Sequence, residues 1–468
     1  MLICSINFYS DYSMESSHHS ADFIQLLISN GAEVYAVGGA VRDKLFNQIH
    51  KTVLKIKDYD LLVRCLEISQ IMTLLKPYGK IKEVGDAFGI IVFHHRKLNE
   101  IFEIALPRIE RSTGHTYKDF VIEANPHVSL ELDLSRRDST INAIAHRIFS
   151  LDDLFSSTID EKFLCDPFCG RDDITKKVWK TVGDAYKRFY EDPTRILRAI
   201  RQCSTMDLTL DDLTMRTIID DKILLKNIKD NSLTRLSSEL VKMIMGDYFG
   251  KWVRFLFESG IGSCLDLEYN DTDIDFVSDA ISRIQHHDVH YVSKIAIVLL
   301  PLGIFAKAWI TKYQLSAVQS FDAKYIDTLI KIINLVPEIK SMLEHGGLTN
   351  LTQLQMRQLI QNIQQPQYDF YATKFLLDTY ICYHNHGHDM IPLFDVEKDI
   401  ILGTQFVALT GPQILTIIKE NTKFTHPKNI GIVKQWLFNQ ITNSFVDNVA
   451  LDLETHLIAN IDTIDFTT

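Results

Sequence analysis

No apolar run in this 468-residue sequence reaches the roughly 20 residues that a helix needs to cross a bilayer. The longest, residues 295–306, is interrupted by Pro301 and flanked by Lys294 and Lys307, so it is expected to be a buried helix, and no membrane partner is anticipated. The first twenty residues place no Lys or Arg before an apolar run, which fits neither a secretory leader nor an Arg-rich transit peptide; the expected location is the cytoplasm. Cysteine is scarce. The seven residues at 4, 65, 165, 169, 203, 264 and 382 are odd in number and lack framework spacing, as suits free thiols in a reducing compartment. Only Cys165 and Cys169 are close together, and with no second pair to complete four ligands they read as semi-buried thiols rather than a zinc site. Basic charge is also in deficit: 49 Lys and Arg against 60 Asp and Glu leave a net −11, which excludes binding nucleic acid by bulk electrostatics. Any such contact must be a patch. Residues 171–201, with nine basic and five acidic side chains, offer one, whereas residues 441–468 hold five acids and no Lys or Arg.

What is present divides into two textures that meet near residues 165–175. Before that point, short β-branched runs (Val34-Tyr35-Ala36-Val37, Leu61-Leu62-Val63, Ile90-Ile91-Val92-Phe93, Ile101-Phe102-Glu103-Ile104) alternate with helical stretches, the pattern of a mixed α/β unit. From Pro193 onward apolar residues recur at helical spacing, as in Leu236, Leu240, Met243 and Ile244 or Ile326, Leu329, Ile330 and Ile333, and no further strands are expected. The fold class is therefore α+β: a mixed-sheet N-terminal part followed by an all-α remainder. Residues 1–20 look like a loose extension.

Several motifs carry chemistry. Val37-Gly38-Gly39-Ala40-Val41-Arg42-Asp43 follows a strand and opens a helix, so two residues without side chains bring backbone N–H groups close to an anion, beside the Arg42 guanidinium. In Lys57-Asp58-Tyr59-Asp60-Leu61, two carboxylates two residues apart at a strand start share a face about 7 Å apart, a relation suited to divalent ions. Glu103 sits within the apolar strand Ile101–Leu106, where a buried carboxylate needs a partner. Farther along, Asp192 suits a helix cap and Pro193 a first helical position, and the helix that follows should bury Ile196 and Ile200 with Arg198 and Arg201 turned away.

Together with Arg136-Arg137-Asp138-Ser139-Thr140-Ile141-Asn142-Ala143-Ile144-Ala145, Asp166-Pro167-Phe168-Cys169-Gly170-Arg171-Asp172-Asp173 and Glu191-Asp192-Pro193-Thr194-Arg195-Ile196-Leu197-Arg198-Ala199-Ile200-Arg201, these motifs stand in the order of the class II tRNA nucleotidyltransferase and bacterial poly(A) polymerase family, which the chain resembles over about residues 30–245. The resemblance implies a polymerase-β-like head over residues 21–165, a helical neck over 166–255, and a helical body and tail over 256–468. By position, Gly38, Gly39 and Arg42 match triphosphate contacts, Asp58 and Asp60 match Mg²⁺ ligands, and Glu103 resembles the third catalytic carboxylate. Arg137 corresponds to a nucleotide-contacting arginine, and Asp192, Arg195, Arg198 and Arg201 match neck residues that face the incoming nucleotide. The implied activity is addition of CCA from CTP and ATP to the tRNA 3′ end by two-metal phosphoryl transfer. Poly(A) addition or A-only addition remains open, as does a catalytically inactive RNA-binding paralogue. Gly85-Asp86-Ala87-Phe88-Gly89-Ile90-Ile91-Val92 and the intact segment 110–120, which looks like a flexible loop, resemble the CCA type more.

Three departures stand out. Fourteen residues separate Asp43 from Asp58, more than the family's usual number, and the insertion reads as a surface excursion. Ser139 occupies a position where the family commonly has Phe, which affects packing more than chemistry. The histidine clusters 286–290 and 384–389 read as polar loops, because the Leu-Leu-His-Asp of hydrolase-bearing relatives is replaced by Leu299-Leu300-Pro301-Leu302. Nothing in the sequence sets the oligomeric state.

Overall fold

A computed structural model describes residues 22–56, 58–84, 89–114, 119–284, 291–319, 321–327, 329–330, 333, 407–423, 426, 428–442, 449–464 and 466. The two histidine clusters, the stretch 85–88 and the extension 1–20 lie outside the described residues. The chain divides into two compact units, residues 1–232 and 233–468.

The first unit is built on a seven-stranded sheet. In chain order it contains α1 (Phe23–Ser29), β1 (Glu33–Val37), α2 (Gly39–His50), β2 (Tyr59–Arg64), α3 (Ile68–Leu75), β3 (Gly79–Glu83), β4 (Ile90–His95), β5 (Glu100–Ala105), β6 (Arg108–Ser112), β7 (Phe120–Ala124), α4 (Leu130–Ser135), β8 (Ala145–Arg147), α5 (Leu151–Phe155), β9 (Leu164–Cys165), α6 (Gly170–Thr175), β10 (Val178–Trp179), α7 (Ala185–Glu191), α8 (Thr194–Met206), β11 (Thr209–Leu210), α9 (Asp212–Asp220) and α10 (Lys222–Ile228). The strand order is β3-β4-β5-β2-β1-β8-β9. All neighbours are antiparallel except β2 and β5, which run parallel with Asp60 opposite Glu103.

The four sequence-expected strands are present as β1, β2, β4 and β5. Their alternation explains the two faces of the sheet. Leu61, Val63, Ile91, Phe93, Phe102 and Ile104 point to a sealed side, at most 1% exposed, where the Phe23 ring of α1 meets Phe102 at 5.0 Å and Phe93 at 5.3 Å. The opposite side carries Tyr35, Val37 and Leu62, covered by Leu134, Ala143 and Val182, and it opens toward β5. There Ile101 is 59% exposed and Glu103 is exposed as well. The expectation that Glu103 is buried is thus corrected: an apolar-looking strand in a half-covered sheet turns alternate residues to solvent.

Segment 110–120 is more ordered than a loop over its described part, since β6 and β7 pair as an antiparallel ribbon from Arg108↔Ala124 to Ser112↔Phe120. The insertion after Asp43 extends α2 to His50, where Lys51 ends it at φ 58. The excursion that follows is clipped back by the Asn47 amide, which bonds the Leu54 carbonyl at 2.9 Å and its N–H at 2.7 Å. Strands do not cease at 175 either. β10 and β11 form a short parallel pair, too brief to leave a period-two signature.

The second unit is helical over its described residues: α11 (Leu233–Ile244), α12 (Gly250–Glu258), α13 (Ile261–Cys264), α14 (Asp271–Ile284), α15 (Tyr291–Leu299), α16 (Ala306–Lys312), α17 (Gly411–Asn421), α18 (Asn429–Thr442) and α19 (Ala450–Asn460). Leu236, Leu240, Met243 and Ile244 of α11 are buried at the expected spacing. The long apolar run proves only half as expected. Ile295 to Leu299 are at most 1% exposed, but Pro301 and a positive-φ Gly303 break the helix, leaving Ile304 82% and Phe305 70% exposed. Contrary to the expectation from the apolar run alone, residues 294–312 are long and apolar enough to cross a membrane by length and composition, although half of that stretch is buried in the protein. In α17, α18 and α19, Ile414, Ile418, Val433, Leu437, Leu453 and Leu457 make a separate cluster of buried side chains.

Candidate nucleotide and metal site

The site forms where β1 ends. Gly38 takes φ 70 and ψ −134, a conformation that L side chains rarely adopt, and α2 then begins with no side-chain cap, so its first-turn N–H groups stay available. A Cβ on Gly38 would lie 3.2 Å from Arg137 Nη1 and 3.4 Å from Asp60 Oδ2. These contacts show that residues 38, 60 and 137, distant in sequence, converge. Register completes the row, because Val37 pairs with Asp60 and Asp60 with Glu103. Asp58 lies just before β2 and is exposed.

The electrostatics of this row are unbalanced. Burial first, then the Glu103 carboxylate, push the Asp60 carboxyl up to about 6; Arg137 opposes them and Asp58 adds to them. Arg137 is held at the end of α4 by one long contact, Nη2 to Asp133 Oδ2 at 3.4 Å, and its buried Nε–H has no protein partner. Its neighbour Arg136 donates to Asp133 Oδ1 at 2.8 and 3.0 Å and to Glu110 Oε1 at 2.8 Å, which ties α4 to the β6–β7 ribbon. Burial would raise the Asp133 carboxyl, but the Arg136 and Arg137 guanidiniums and the Arg108 N–H hold it below its ordinary value.

Arg42 lies one turn into α2. Its Nε and Nη2 both reach Asp43 Oδ1 at 2.7 Å and its Nη1 donates to Asn142 Oδ1 at 2.7 Å, while Nη2 also lies 3.7 Å from where a Gly39 Cβ would stand. The guanidinium therefore flanks the glycine turn.

The neck residues are placed by α8, buried on nearly every side. Ile196 and Ile200 are fully buried, and Arg198 and Arg201 are half-buried, the disposition expected from the sequence. The helix starts one residue later than expected, at Thr194, with Pro193 rather than Asp192 at its N-cap; Asp192, one residue earlier, accepts the Thr194 N–H at 3.1 Å and hydroxyl at 2.5 Å through Oδ1. Arg195 is 8% exposed and donates to the Arg188 and Arg136 carbonyls at 3.3 and 3.2 Å and to Glu191 at 3.2 Å. Arg198 forks onto Asp138 Oδ2 with Nε at 2.9 Å and Nη2 at 2.8 Å. Burial works against the Asp138 charge, yet Arg198, Asn142 and Arg195 hold its carboxyl well below the usual range.

Sequence reasoning missed three of these groups: Asp138 as the partner of Arg198, Asn142 as the partner of Arg42, and Gln202, which joins them. The one cue for Gln202 is its spacing, four residues after Arg198 on the same helix face. Among the described residues no group of three or more His, Cys, Asp and Glu is arranged to hold a metal ion.

A glycine-started helix facing a carboxylate row on a mixed sheet defines a nucleotidyltransferase-type head, and residues 34–180 match the family described as "Poly A polymerase head domain". That match covers less than half of the chain, and over those residues the first unit is similar to a head of that family. The named relatives narrow the comparison: the chain is similar to the CCA-adding enzyme of Geobacillus sp. (33% identity over 243 residues, 51% of this chain and 52% of that one) and to that of Listeria monocytogenes (35% over 228 residues, 48% and 49%). The Multifunctional CCA protein of Nitrosococcus oceani is 40% identical over 169 residues, 36% of this chain and 34% of that one. The matches thus span about half the length of the first two relatives. In fold, the chain is similar to the Bacillus stearothermophilus CCA-adding enzyme in complex with CTP (TM-score 0.57, 21% identity, 94% of this chain and 96% of that one). It is also similar to the Thermotoga maritima CCA-adding enzyme complexed with tRNA (TM-score 0.59, 18% identity, 94% of each chain).

Proposed function

We propose that this protein is a template-independent RNA nucleotidyltransferase that adds CCA, from CTP and ATP, to the 3′ end of tRNA. The observation that carries this reading is the convergence of Gly38, Asp60, Glu103 and Arg137 in a head whose relatives bear the name CCA-adding enzyme. In this reading residues 21–165 are the catalytic head, 166–255 the neck, and 256–468 a body and tail that hold the RNA acceptor.

Asp58 and Asp60 are the residues that would hold Mg²⁺. Asp60 fits the role: a carboxyl pushed up to about 6 by burial and two neighbouring carboxylates is one whose charge calls for a cation. Mg²⁺ is commonly held by one or two carboxylates together with substrate phosphate oxygens, so a third protein ligand is not required. When bound, the ion supplies charge neutralisation at the triphosphate and lowers the pKa of the attacking hydroxyl. The protein's own residues do the rest. Gly38 and Gly39 leave the first-turn N–H groups of α2 open to phosphate oxygens, and Arg42 and Arg137, whose Nη1 lies beside the Gly38 turn, add charged donors. The RNA 3′-oxygen bonds to the α-phosphorus as the bond to pyrophosphate breaks. Glu103, exposed beside Asp60, completes the acidic row. Arg198 and Arg201, half-buried, would face the base, whereas Asp192 and Arg195 are buried at 6% and 8% exposure and bonded within the neck, so they read it, as an acceptor next to donors that complements cytosine and adenine but not uracil or guanine, only once those bonds are displaced.

The test is to incubate purified protein with tRNA lacking CCA, tRNA ending in CC, and oligo(A), with each NTP singly and with CTP plus ATP, and to size the products. Growth that stops at CCA is expected. Extension of oligo(A), or A addition restricted to tRNA ending in CC, would replace this reading with poly(A) or A-only addition, and no incorporation would end it.

A further inference from the structure

Three N–H donors from three separate elements converge on one side-chain oxygen in the first unit. Gln202 Oε1, on α8, accepts from Asn142 Nδ2 at 3.0 Å, Trp179 Nε1 at 3.2 Å and Arg42 Nη1 at 3.4 Å. Only a carbonyl oxygen satisfies three donors at once, so the orientation of the amide is set by its neighbours. The other end of that amide, Nε2, is buried with no partner, in a side chain only 2% exposed. An unmade buried hydrogen bond is costly, and it persists here because the carbonyl end serves three groups.

The arrangement has a direction. Asn142 bonds Arg42 Nη1 through Oδ1 and Asp138 through Nδ2, so Gln202, Asn142 and Asp138 form one connected set, and Arg198 closes it from the same helix as Gln202. Arg42 is thereby reached from behind by a neck-helix residue 160 positions away, at 3.4 Å, in addition to Asn142 at 2.7 Å and the Asp43 carboxylate on Nε and Nη2 at 2.7 Å, and the same Nη2 lies 3.7 Å from where a Gly39 Cβ would stand. We propose that Gln202 is a positioning residue for the triphosphate: it fixes the Arg42 guanidinium against the Gly38-Gly39 turn and makes phosphate affinity depend on the seating of α8. The inference rests on the role given to Arg42 above. Gln202 itself touches no substrate.

The experiment measures binding and turnover separately in the full-length protein. Equilibrium dialysis with Mg²⁺ and radiolabelled ATP, with unlabelled inorganic triphosphate and adenosine as competitors, is run on the parent, Gln202→Leu and Gln202→Asn; incorporation kinetics on tRNA ending in CC accompany it. Gln202→Leu removes the acceptor, and Gln202→Asn keeps the amide but is one methylene too short to reach Arg42. Expected are about a tenfold loss of ATP and triphosphate affinity in the first variant and a three- to fivefold loss in the second, with adenosine competition unchanged. KM for ATP should rise by the same factors, with kcat and the KM for tRNA within about twofold of the parent. Should the leucine variant melt below the assay temperature, the asparagine variant alone decides. Parental triphosphate affinity in a folded Gln202→Asn variant, or an equal fall in affinity for adenosine, overturns the proposal. A parent that binds ATP tightly without incorporating it would instead sink the reading of function, and the dialysis result on Gln202 would still stand.

Discussion

Truncating Arg198 to alanine is the perturbation that best separates the structural and nucleotide-binding roles of the neck. Asp138 is buried, and Arg198 contributes two of the charge-assisted hydrogen bonds that hold its carboxylate. Removing one partner of a buried pair typically costs about 3–5 kcal/mol, because a charge is left uncompensated. Two features reduce that figure here. The Arg198 side chain is 35% exposed, so water can enter the space it vacates, and the Asn142 bond at 2.8 Å and the nearby Arg195 charge remain. A loss of roughly 2–3 kcal/mol is the reasoned value. In thermal unfolding that corresponds to a fall of roughly 5–10 °C for a unit of this size. The double variant Asp138→Asn with Arg198→Ala removes the orphaned charge and should recover to within about 1 kcal/mol of the parent.

The pH dependence gives an independent readout of the same pair. The folded-state pKa of Asp138 is depressed, so its stabilisation is present above the ordinary carboxylate range and is lost as pH falls through and below that range. Acid sensitivity of the parent should therefore be steeper than that of Asp138→Asn. If Arg198→Ala unfolds within about 0.5 kcal/mol of the parent and the acid limb is unchanged in Asp138→Asn, the pair does not hold the neck helix and the argument fails.

Asp58→Asn and Asp60→Asn should each abolish incorporation. Because the raised Asp60 pKa destabilises the ion-free fold increasingly as pH rises from about 4 to about 6, Asp60→Asn should be up to roughly 3 kcal/mol more stable than the parent at pH 7, and added Mg²⁺ should stabilise the parent but neither variant. A Mg²⁺-dependent shift that survives in both variants would remove them from the metal site. Gly38→Ala should lose roughly 1–3 kcal/mol of stability to backbone strain and at least about tenfold in kcat/KM, since its methyl group presses on Arg137 and Asp60; parental kinetics would show that neither group has to stay in place. Asp192→Ala should cost about 1 kcal/mol through the lost hydrogen bonds to Thr194 at the start of α8 and relax discrimination against UTP and GTP, measured as kcat/KM for all four NTPs; unchanged selectivity would mean that this carboxylate only secures the start of the helix.

The parts of the molecule that could be read from sequence are those whose cause is local. A Gly-Gly pair between a strand and a helix, an Asp-x-Asp at a strand start and β-branched runs of four residues each carry their explanation within a few positions, and β1, β2, β4 and β5 follow. Glu103 shows where locality fails. Whether a charged residue in an apolar strand is buried depends on what covers its face of the sheet, and nothing within residues 101–106 records that the face is open. The same limit governs the polar network behind the site. Arg42 appears on sequence alone as a free guanidinium beside exposed amides, but its Nη1 is spent on Asn142, 100 residues on, and on Gln202, 160 residues on. Arg198 likewise looks like a solvated arginine on a basic helix face until Asp138, 60 residues earlier, is placed against it. Residue type alone suggests the chemistry a side chain can perform, whereas its remaining hydrogen-bonding capacity depends on long-range packing. Arg137 is the instructive contrast: it makes one long bond to Asp133, its buried Nε–H has no protein partner, and its Nη1, beside the Gly38 turn, is the donor that the proposed function leaves for an incoming anion.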